Sequence, residues 1–156
     1  MFVKIDKMLL QNDAKTEMRK YQKDELSSDC EPAFTAGCTA NVLLLSDTHV
    51  YCANTGDSRS VLCEKGKALE LSKDHKPDVP SEHSRIVAAG HTVASGRVDG
   101  NLAVSRAIGD WEYKSSTLPS EKMAVSGYPE VTKTQITPNS EFIICACDGI
   151  WDCMTS

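Results

Sequence analysis

Several features are scarce or missing in this sequence of 156 residues. No apolar run approaches the roughly 20 residues that a membrane-spanning helix needs. The first residues, Met1-Phe2-Val3-Lys4-Ile5-Asp6, hold no apolar stretch long enough for a secretory signal. Positive charge is not in surplus: 17 Lys and Arg stand against 22 Asp and Glu, a formal net charge of −5. Phosphate backbones are gripped by excess Lys and Arg, so this balance argues against a nonspecific nucleic-acid binder. Aromatic residues make up only 6%, which leaves aliphatic and Cys side chains to fill the core. The seven cysteines, at 30, 38, 52, 63, 145, 147 and 153, include no Cys-x-x-Cys pair. That pattern fits neither a disulfide framework nor a zinc ribbon. The cysteines read instead as reduced, small hydrophobes in a cytosol-like compartment, most of them inside apolar strand-like runs. There is no Gly-x-Ser-x-Gly elbow and no phosphate loop ending Gly-Lys-Ser/Thr. The histidines at 49, 75, 83 and 91 are scattered, and without a nucleophile motif a Ser-His-Asp triad is unsupported.

What is present is ordinary globular usage, 40% hydrophobic and 25% charged. The length suits one domain with a sizeable core. Residues 1–31 read as a helical segment followed by a polar one. Ile5, Met8 and Leu9, then Met18 and Tyr21, recur at helical spacing around an Asn12-Asp13 interruption. Charges of both signs interleave here, which predicts a solvated face. A linker is expected from Ser27 to Pro32. From residue 34 the period changes to two. Thr39–Leu45 and His49–Thr55 read as a hairpin over Ser46-Asp47-Thr48. Arg59–Glu64 and Ala68–Leu71 read as a second hairpin across Lys65-Gly66. Ser81 is expected to cap a helix running through Ile86 and Ala89 and stopped by Gly90. Turns are expected at Ser95-Gly96 and Asp99-Gly100. Glu141–Cys147, nearly all apolar, reads as a central strand buried on both faces. Helices and strands segregate, so the fold class is α+β with a largely antiparallel sheet.

Three acids stand out. Asp57 follows a strand, Asp148 ends the most apolar strand, and Asp152 lies four residues beyond it. A helical turn after that strand would put Asp148 and Asp152 on one side. A carboxylate at the end of a buried strand is costly unless a cation or several donors compensate it. Carboxylates without His or Cys suit a hard ion, Mg²⁺ or Mn²⁺. Simpler readings stand beside this one. Asp57 could close a turn, Asp148 could cap a helix, and Asp152 could be a surface acid.

Six blocks occur in a fixed order. They are Gly37-Cys38-Thr39-Ala40, Ala53-Asn54-Thr55-Gly56-Asp57-Ser58-Arg59 and Leu71-Ser72-Lys73-Asp74-His75-Lys76-Pro77. Then come Arg85-Ile86-Val87-Ala88-Ala89-Gly90, the stretch 97–110 ending Ser105-Arg106-Ala107-Ile108-Gly109-Asp110, and Ala146-Cys147-Asp148-Gly149-Ile150-Trp151-Asp152. Together they closely resemble the metal-dependent protein phosphatases of type 2C, from about Phe34 to the C-terminus. The resemblance implies two antiparallel sheets packed face to face and flanked by helices, an αββα arrangement. It implies hydrolysis of phosphoserine and phosphothreonine in proteins by a water held on two Mg²⁺ or Mn²⁺ ions, with a possible third. By the motif match, Asp148 is a ligand of the catalytic pair, and Asp57 and Asp152 help hold the third ion. The stretch from about Ser72 to Gly100 matches a flap beside the active site, with Asp74, His75, Lys76 and Arg97 as its substrate-side candidates. Gly90-His91 departs from the family's usual Gly-Gly.

The family's Asp-Gly-His-Gly block, its upstream phosphate-binding Arg and its final Gly-Asp-Asn-like block are absent from these 156 residues. The expectation is therefore a partial catalytic domain over 1–156. It would comprise a helical segment over 1–31 and a central β-rich region over 34–156. No catalytic residue is retained beyond the metal ligands, so the chain by itself is expected to be weakly active or inactive. Open strand edges and an uncovered core would favour aggregation. A pseudophosphatase serving as a protein-binding scaffold is the alternative. The partners expected are phosphoprotein substrates and no nucleic acid, the intact enzyme being a monomer. The location expected is cytoplasmic or nuclear, with peripheral membrane attachment left open.

Overall fold

The computed structural model describes residues 1–21 and 32–156. The linker expected at 27–32 and Cys30 lie outside the described residues, except for Pro32. In chain order the helices α1 (Phe2–Met8), α2 (Asn12–Arg19) and α3 (Pro32–Thr35) come first. They lead into β1 (Gly37–Cys38), β2 (Ala40–Leu45), β3 (His49–Thr55), β4 (Arg59–Glu64) and β5 (Lys67–Glu70). Next are α4 (Pro80–Ala88), the short strands β6 (Val93–Ala94) and β7 (Arg97–Val98), and β8 (Ile108–Gly109). The chain closes with β9 (Glu130–Gln135), β10 (Ser140–Ala146) and the single turn α5 (Asp148–Trp151).

The centre is two antiparallel sheets, ordered β2-β3-β9 and β10-β4-β5. The β2–β3 hairpin runs in register from Ala40↔Thr55 to Leu45↔Val50. The β4–β5 hairpin turns on Lys65 (φ 52°) and Gly66 (φ 66°). Two positive φ values in a two-residue loop match the right-handed strand twist, which is why a Gly follows the Lys. Alternation along β3 sends Val50 and Cys52 into the space between the sheets, where they meet Leu62 of β4 and Leu71 just after β5, with Leu43, Ile136 and Ile143 packed against them. Each full burial of such a side chain contributes about 1.5–3 kcal/mol. This is the expected face-to-face arrangement.

Helix α4 starts at Pro80, not at a Ser81 cap. Val79 is its N-cap and makes no side-chain capping bond. Proline suits that first position because its missing N–H has no helical partner there. The helix ends at Gly90 (φ 90°), where Gly90 N–H donates to Val87 O at 3.0 Å and His91 N–H to Ile86 O at 3.2 Å. This paired closure needs a left-handed residue, hence glycine. Ile86 then packs with Val98, Ala107, Ala124 and Val125 in a second small core.

Strand β10 corrects the expectation of a strand covered on both faces. It is an edge strand here, with Phe142 54% and Ile144 47% exposed. The first sheet likewise leaves Val42, Leu44 and Val131 exposed. An unbroken apolar run reports that both faces of a strand avoid water in some setting; the described residues cover one. Cys52 is buried, while Cys38, Cys145, Cys147 and Cys153 are exposed and Cys63 is intermediate, so most of the described cysteines are not the core hydrophobes expected of them.

Helix α1 also departs from expectation. Its buried residues are Phe2 and Asp6, while Ile5 and Met8 are exposed. Asp6 is compensated fully. Lys114 Nζ donates to both carboxylate oxygens at 2.9 Å, Gly109 N–H donates to one at 2.8 Å, and Lys114 also reaches Ala107 O. Trp111 Nε1–H donates to the Asp6 carbonyl. Among the described residues no helix is long and apolar enough to cross a membrane.

Candidate functional site

Asp57 lies in the turn joining β3 to β4, directly after Gly56 (φ 112°). A Cβ at position 56 would come within 2.3 Å of the Thr39 side chain, so only glycine lets the chain fold back here. The Asp57 carboxylate is buried and accepts a hydrogen bond from the Lys76 ammonium. Two residues on, Arg59 donates through Nε and Nη2 to the two oxygens of Asp74, both at 2.9 Å. The pairs cross. Asp57-Ser58-Arg59 and Asp74-His75-Lys76 each carry an acid followed two residues later by a base, and each base takes the other segment's acid.

His75 fastens the middle of this cross-brace. His75 N–H donates to Gly56 O at 3.1 Å, and Gly56 N–H donates to His75 Nδ1 at 3.2 Å. An accepting Nδ1 leaves the proton on Nε2, which faces Glu130 at 3.2 Å. Burial, aided by the Arg106 guanidinium, holds the imidazole below its ordinary pKa, which keeps it neutral. Burial works to lower the Lys76 pKa, but the Asp57 carboxylate outweighs it and the group is raised; Asp152 and Asp74 act in the same direction.

Helix α5 brings Asp148 and Asp152 to the same end of the sandwich. Asp148 opens the turn and Asp152 closes it, Asp152 N–H donating to Asp148 O at 2.7 Å. Asp148 makes no side-chain cap; Cys147 holds the N-cap position. The turn is anchored by Trp151, whose Nε1–H is shared between Ala146 O at 2.8 Å and Arg59 O at 3.1 Å. The Arg59 guanidinium lies 5.2 Å from the Trp151 ring centroid, adding a cation–π contact.

The structure thus brings together Asp57, Asp74, His75, Lys76 and Asp152, with Asp148 one helical turn from Asp152. Arg97 stands apart on the β6–β7 hairpin, where its Nη1 donates to Asn101 O. His91, at the unusual Gly-His pair, bonds Asp99 at 2.7 Å across the same hairpin. The residues that sequence reasoning did not single out are Arg59 and Trp151, which carry α5, and the group around Glu82. Glu82 is buried and accepts from Arg85 at 2.7 Å, Ser105 at 2.6 Å and both ends of Arg106 at 2.7 and 3.0 Å. Burial alone would raise its pKa, but the Arg106 and Ser105 bonds and the Arg85 charge pull it down to about 2. The one local signal for the cross-brace was the repeated acid-x-base spacing.

The family model described as protein phosphatase 2C matches residues 3–156. The chain belongs to the protein phosphatase 2C family. It is 50% identical over 145 residues to protein phosphatase 2C homolog 3 of Schizosaccharomyces pombe, covering 93% of this chain and 35% of that protein. It is 45% identical over 152 residues to protein phosphatase 2C 1 of Paramecium tetraurelia, covering 97% and 49%. A phosphatase structure from Toxoplasma gondii superposes with a TM-score of 0.61 at 41% identity, over 67% of this chain and 32% of that one. The serine-threonine phosphatase 2C from the same organism superposes at 0.73 over 99% and 50%, with 23% identity, a likeness of fold. The chain therefore spans about a third to a half of the phosphatase 2C relatives it matches.

Phosphatase 2C membership implies divalent ions, and the donor set can be tested against that. Asp57, Asp148 and Asp152 offer the hard oxygen ligands Mg²⁺ and Mn²⁺ take. Among the described residues, however, no three His, Cys, Asp or Glu side chains gather at ligand spacing. Asp57 is already neutralised by Lys76. By themselves these residues do not fit a two-ion centre.

Proposed function

We propose that this chain contributes to a metal-dependent protein serine/threonine phosphatase. Its substrates are phosphoserine and phosphothreonine in proteins, and its cofactor is Mg²⁺ or Mn²⁺. The observation that carries the reading is the convergence of acids from two separate motifs at one end of the sandwich. The β3–β4 turn supplies Asp57, and α5 supplies Asp148 and Asp152. All three are this chain's share of the ligands, Asp148 for the catalytic ions and Asp57 and Asp152 for an accessory one. Lys76, Asp74 and His75 shape the border of the site, and Arg97 belongs to the outlying hairpin of the flap. The intact enzyme is a cytoplasmic or nuclear monomer.

The chain spans a third to a half of its phosphatase 2C relatives, so full activity is assigned to a protein holding the remaining segments as well. The 156 residues alone turn over phosphopeptide weakly or not at all. A second reading, a non-catalytic scaffold of the same fold, is favoured by the lysine already seated on Asp57. Hydrolysis of a phosphothreonine peptide in Mn²⁺ separates the two. Turnover by the complete protein that Asp148→Asn abolishes supports the enzyme. No turnover by a protein with every phosphatase 2C segment in place supports the scaffold.

A further inference from the structure

Between the two sheets, thiols from opposite sides aim at one oxygen. Cys52 of β3 holds its Sγ 3.6 Å from Asn41 Oδ1, and Cys145 of β10 holds its Sγ 3.5 Å from the same atom. The two sulfurs therefore lie no farther apart than two hydrogen-bond reaches through a single shared acceptor. Ser60 Oγ donates to that oxygen as well, at 2.6 Å. Both thiols are free, and they are unequal. Cys52 is 1% exposed, whereas Cys145 is open to solvent. Burial chiefly raises the Cys52 thiol above its ordinary pKa, and the neighbouring Cys145 pushes in the same direction. A buried, protonated thiol is slow to meet an outside oxidant, while an exposed one is reached directly. Among the described residues β10 has one hydrogen-bonded neighbour, β4, so its free edge leaves it room to shift toward β3.

We propose that Cys52 and Cys145 form a dithiol that hydrogen peroxide converts into a disulfide clasping the two sheets. The Cys145 thiolate attacks one peroxide oxygen and the O–O bond breaks. The departing hydroxide takes up the thiol's proton as water, and Cys145 is left as a sulfenic acid, oxidised by two electrons. The Cys52 sulfur then attacks the Cys145 sulfur. The S–S bond forms, the S–O bond breaks, and the leaving hydroxide carries off the Cys52 proton as a second water. A disulfide is about 2.0 Å long, so both side chains turn away from Asn41 toward each other and β10 closes the remaining gap. Asn41 loses two donors in the exchange. Its Nδ2 donates to Asn54 Oδ1 at 3.0 Å and to Ser72 Oγ at 3.1 Å, and Asn54 in turn holds Gly56 O and Lys73 O. Oxidation thus acts on the back of the turn that carries Asp57. The chemistry needs neither a metal nor a phosphate ester, so it stands independently of the phosphatase reading.

The test is a map of the thiols after oxidation. The purified protein and its Cys52→Ala and Cys145→Ala variants are treated with hydrogen peroxide, unfolded, and alkylated at every remaining thiol. They are then cut with chymotrypsin without reduction and analysed by mass spectrometry. Circular dichroism checks the fold beforehand. Cleavage after Tyr51, Phe142 and Trp151 parts Cys52 from Cys38 and Cys145 from Cys153, and fragmentation tells Cys145 from Cys147. The parent yields a linked peptide pair joining Cys52 to Cys145 within one chain, lighter by two hydrogens and released by dithiothreitol. In Cys145→Ala, Cys52 stays alkylatable because no oxidant reaches it. In Cys52→Ala, Cys145 stops at the sulfenic acid, which dimedone traps. Cys145 joined instead to another cysteine, Cys52 still free once Cys145 is oxidised, or neither sulfur oxidised overturns the proposal. Should a variant fail to fold, the parent's map decides alone, since the linked pair is either present or absent in it.

Discussion

Two aspartate–lysine pairs with the same chemistry hold different parts of this molecule. Asp6 and Lys114 join α1 to the segment after β8, their side chains 1% and 0% exposed. Lys114 is further bound by Ala107 O and lies 5.3 Å from the Trp111 ring centroid. Asp57 and Lys76 join the β3–β4 turn to the segment after β5, and there the lysine is 36% exposed. In the first pair water is excluded and the remaining partners, Ala107 O and Gly109 N–H, are fixed backbone groups, so the bond is a fastener. In the second, water stands beside the ammonium and can take over from the carboxylate. Burial, not the identity of the residues, decides how firmly each pair is held.

The comparison breaks most visibly if the two lysines are removed in turn. Lys114→Met strands a buried carboxylate and should cost about 3–5 kcal/mol, the usual penalty for breaking a buried pair from one side. Lys76→Met should cost about 1 kcal/mol, since solvent reaches Asp57 from the vacated side. Urea unfolding of both variants measures this directly. Equal losses would mean that the second pair is as sealed as the first.

Glu82 sharpens the contrast with a buried acid paired to two guanidinium groups. Its folded pKa of about 2 lies below the ordinary 4.5. A depressed carboxylate stabilises the fold above the unfolded pKa, and that contribution is lost as pH falls from about 4.5 toward 2. The loss should amount to roughly 3 kcal/mol at most. Urea midpoints followed from pH 6 to pH 2.5 should fall along this limb. Glu82→Gln should start lower and show a shallower limb, and an unchanged acid limb in that variant would remove Glu82 as its source.

These pairs also show where the sequence could be read and where it could not. The hairpins were legible because period-two alternation and the Lys65-Gly66 turn are local signals, and helix α4 because its apolar spacing ends at a glycine that must be left-handed. Asp57 and Asp148 were legible as acids at strand ends, and Asp152 as an acid one helical turn further on. Asp6 was not, since its partner lies 108 residues away and its helix also displays Ile5 and Met8 at helical spacing. Periodicity detects burial only through apolar residues, so a buried acid with a distant lysine looks like a surface charge. The Arg59–Asp74 and Lys76–Asp57 crossing was hidden for a related reason. Its spacing is visible, but only the hydrogen-bonded approach of His75 to Gly56 sets which base meets which acid. The exposed outer face of β10 was misread because an apolar run does not say what covers it.

Salt should reveal the smallest difference between the two lysine pairs. The coupling between Asp57 and Lys76 can be isolated by a double-mutant cycle with Asp57→Asn and Lys76→Met, which cancels the separate costs of each change. A partly exposed pair of this kind is worth about 0.2–1 kcal/mol. Screening acts over about 10 Å at 0.1 M salt and about 3 Å at 1 M, so the coupling should shrink toward zero in 1 M NaCl. The matching cycle with Asp6→Asn and Lys114→Met should give a larger coupling that salt leaves nearly unchanged, because no ion reaches a pair from which water is excluded. Chloride competes for the exposed lysine and sodium for the carboxylate, so the pair is loosened by salt in a way a sealed pair is not. An Asp57–Lys76 coupling as indifferent to salt as that of the buried pair would show that the ammonium does not leave its carboxylate, and the distinction between the two pairs would be lost.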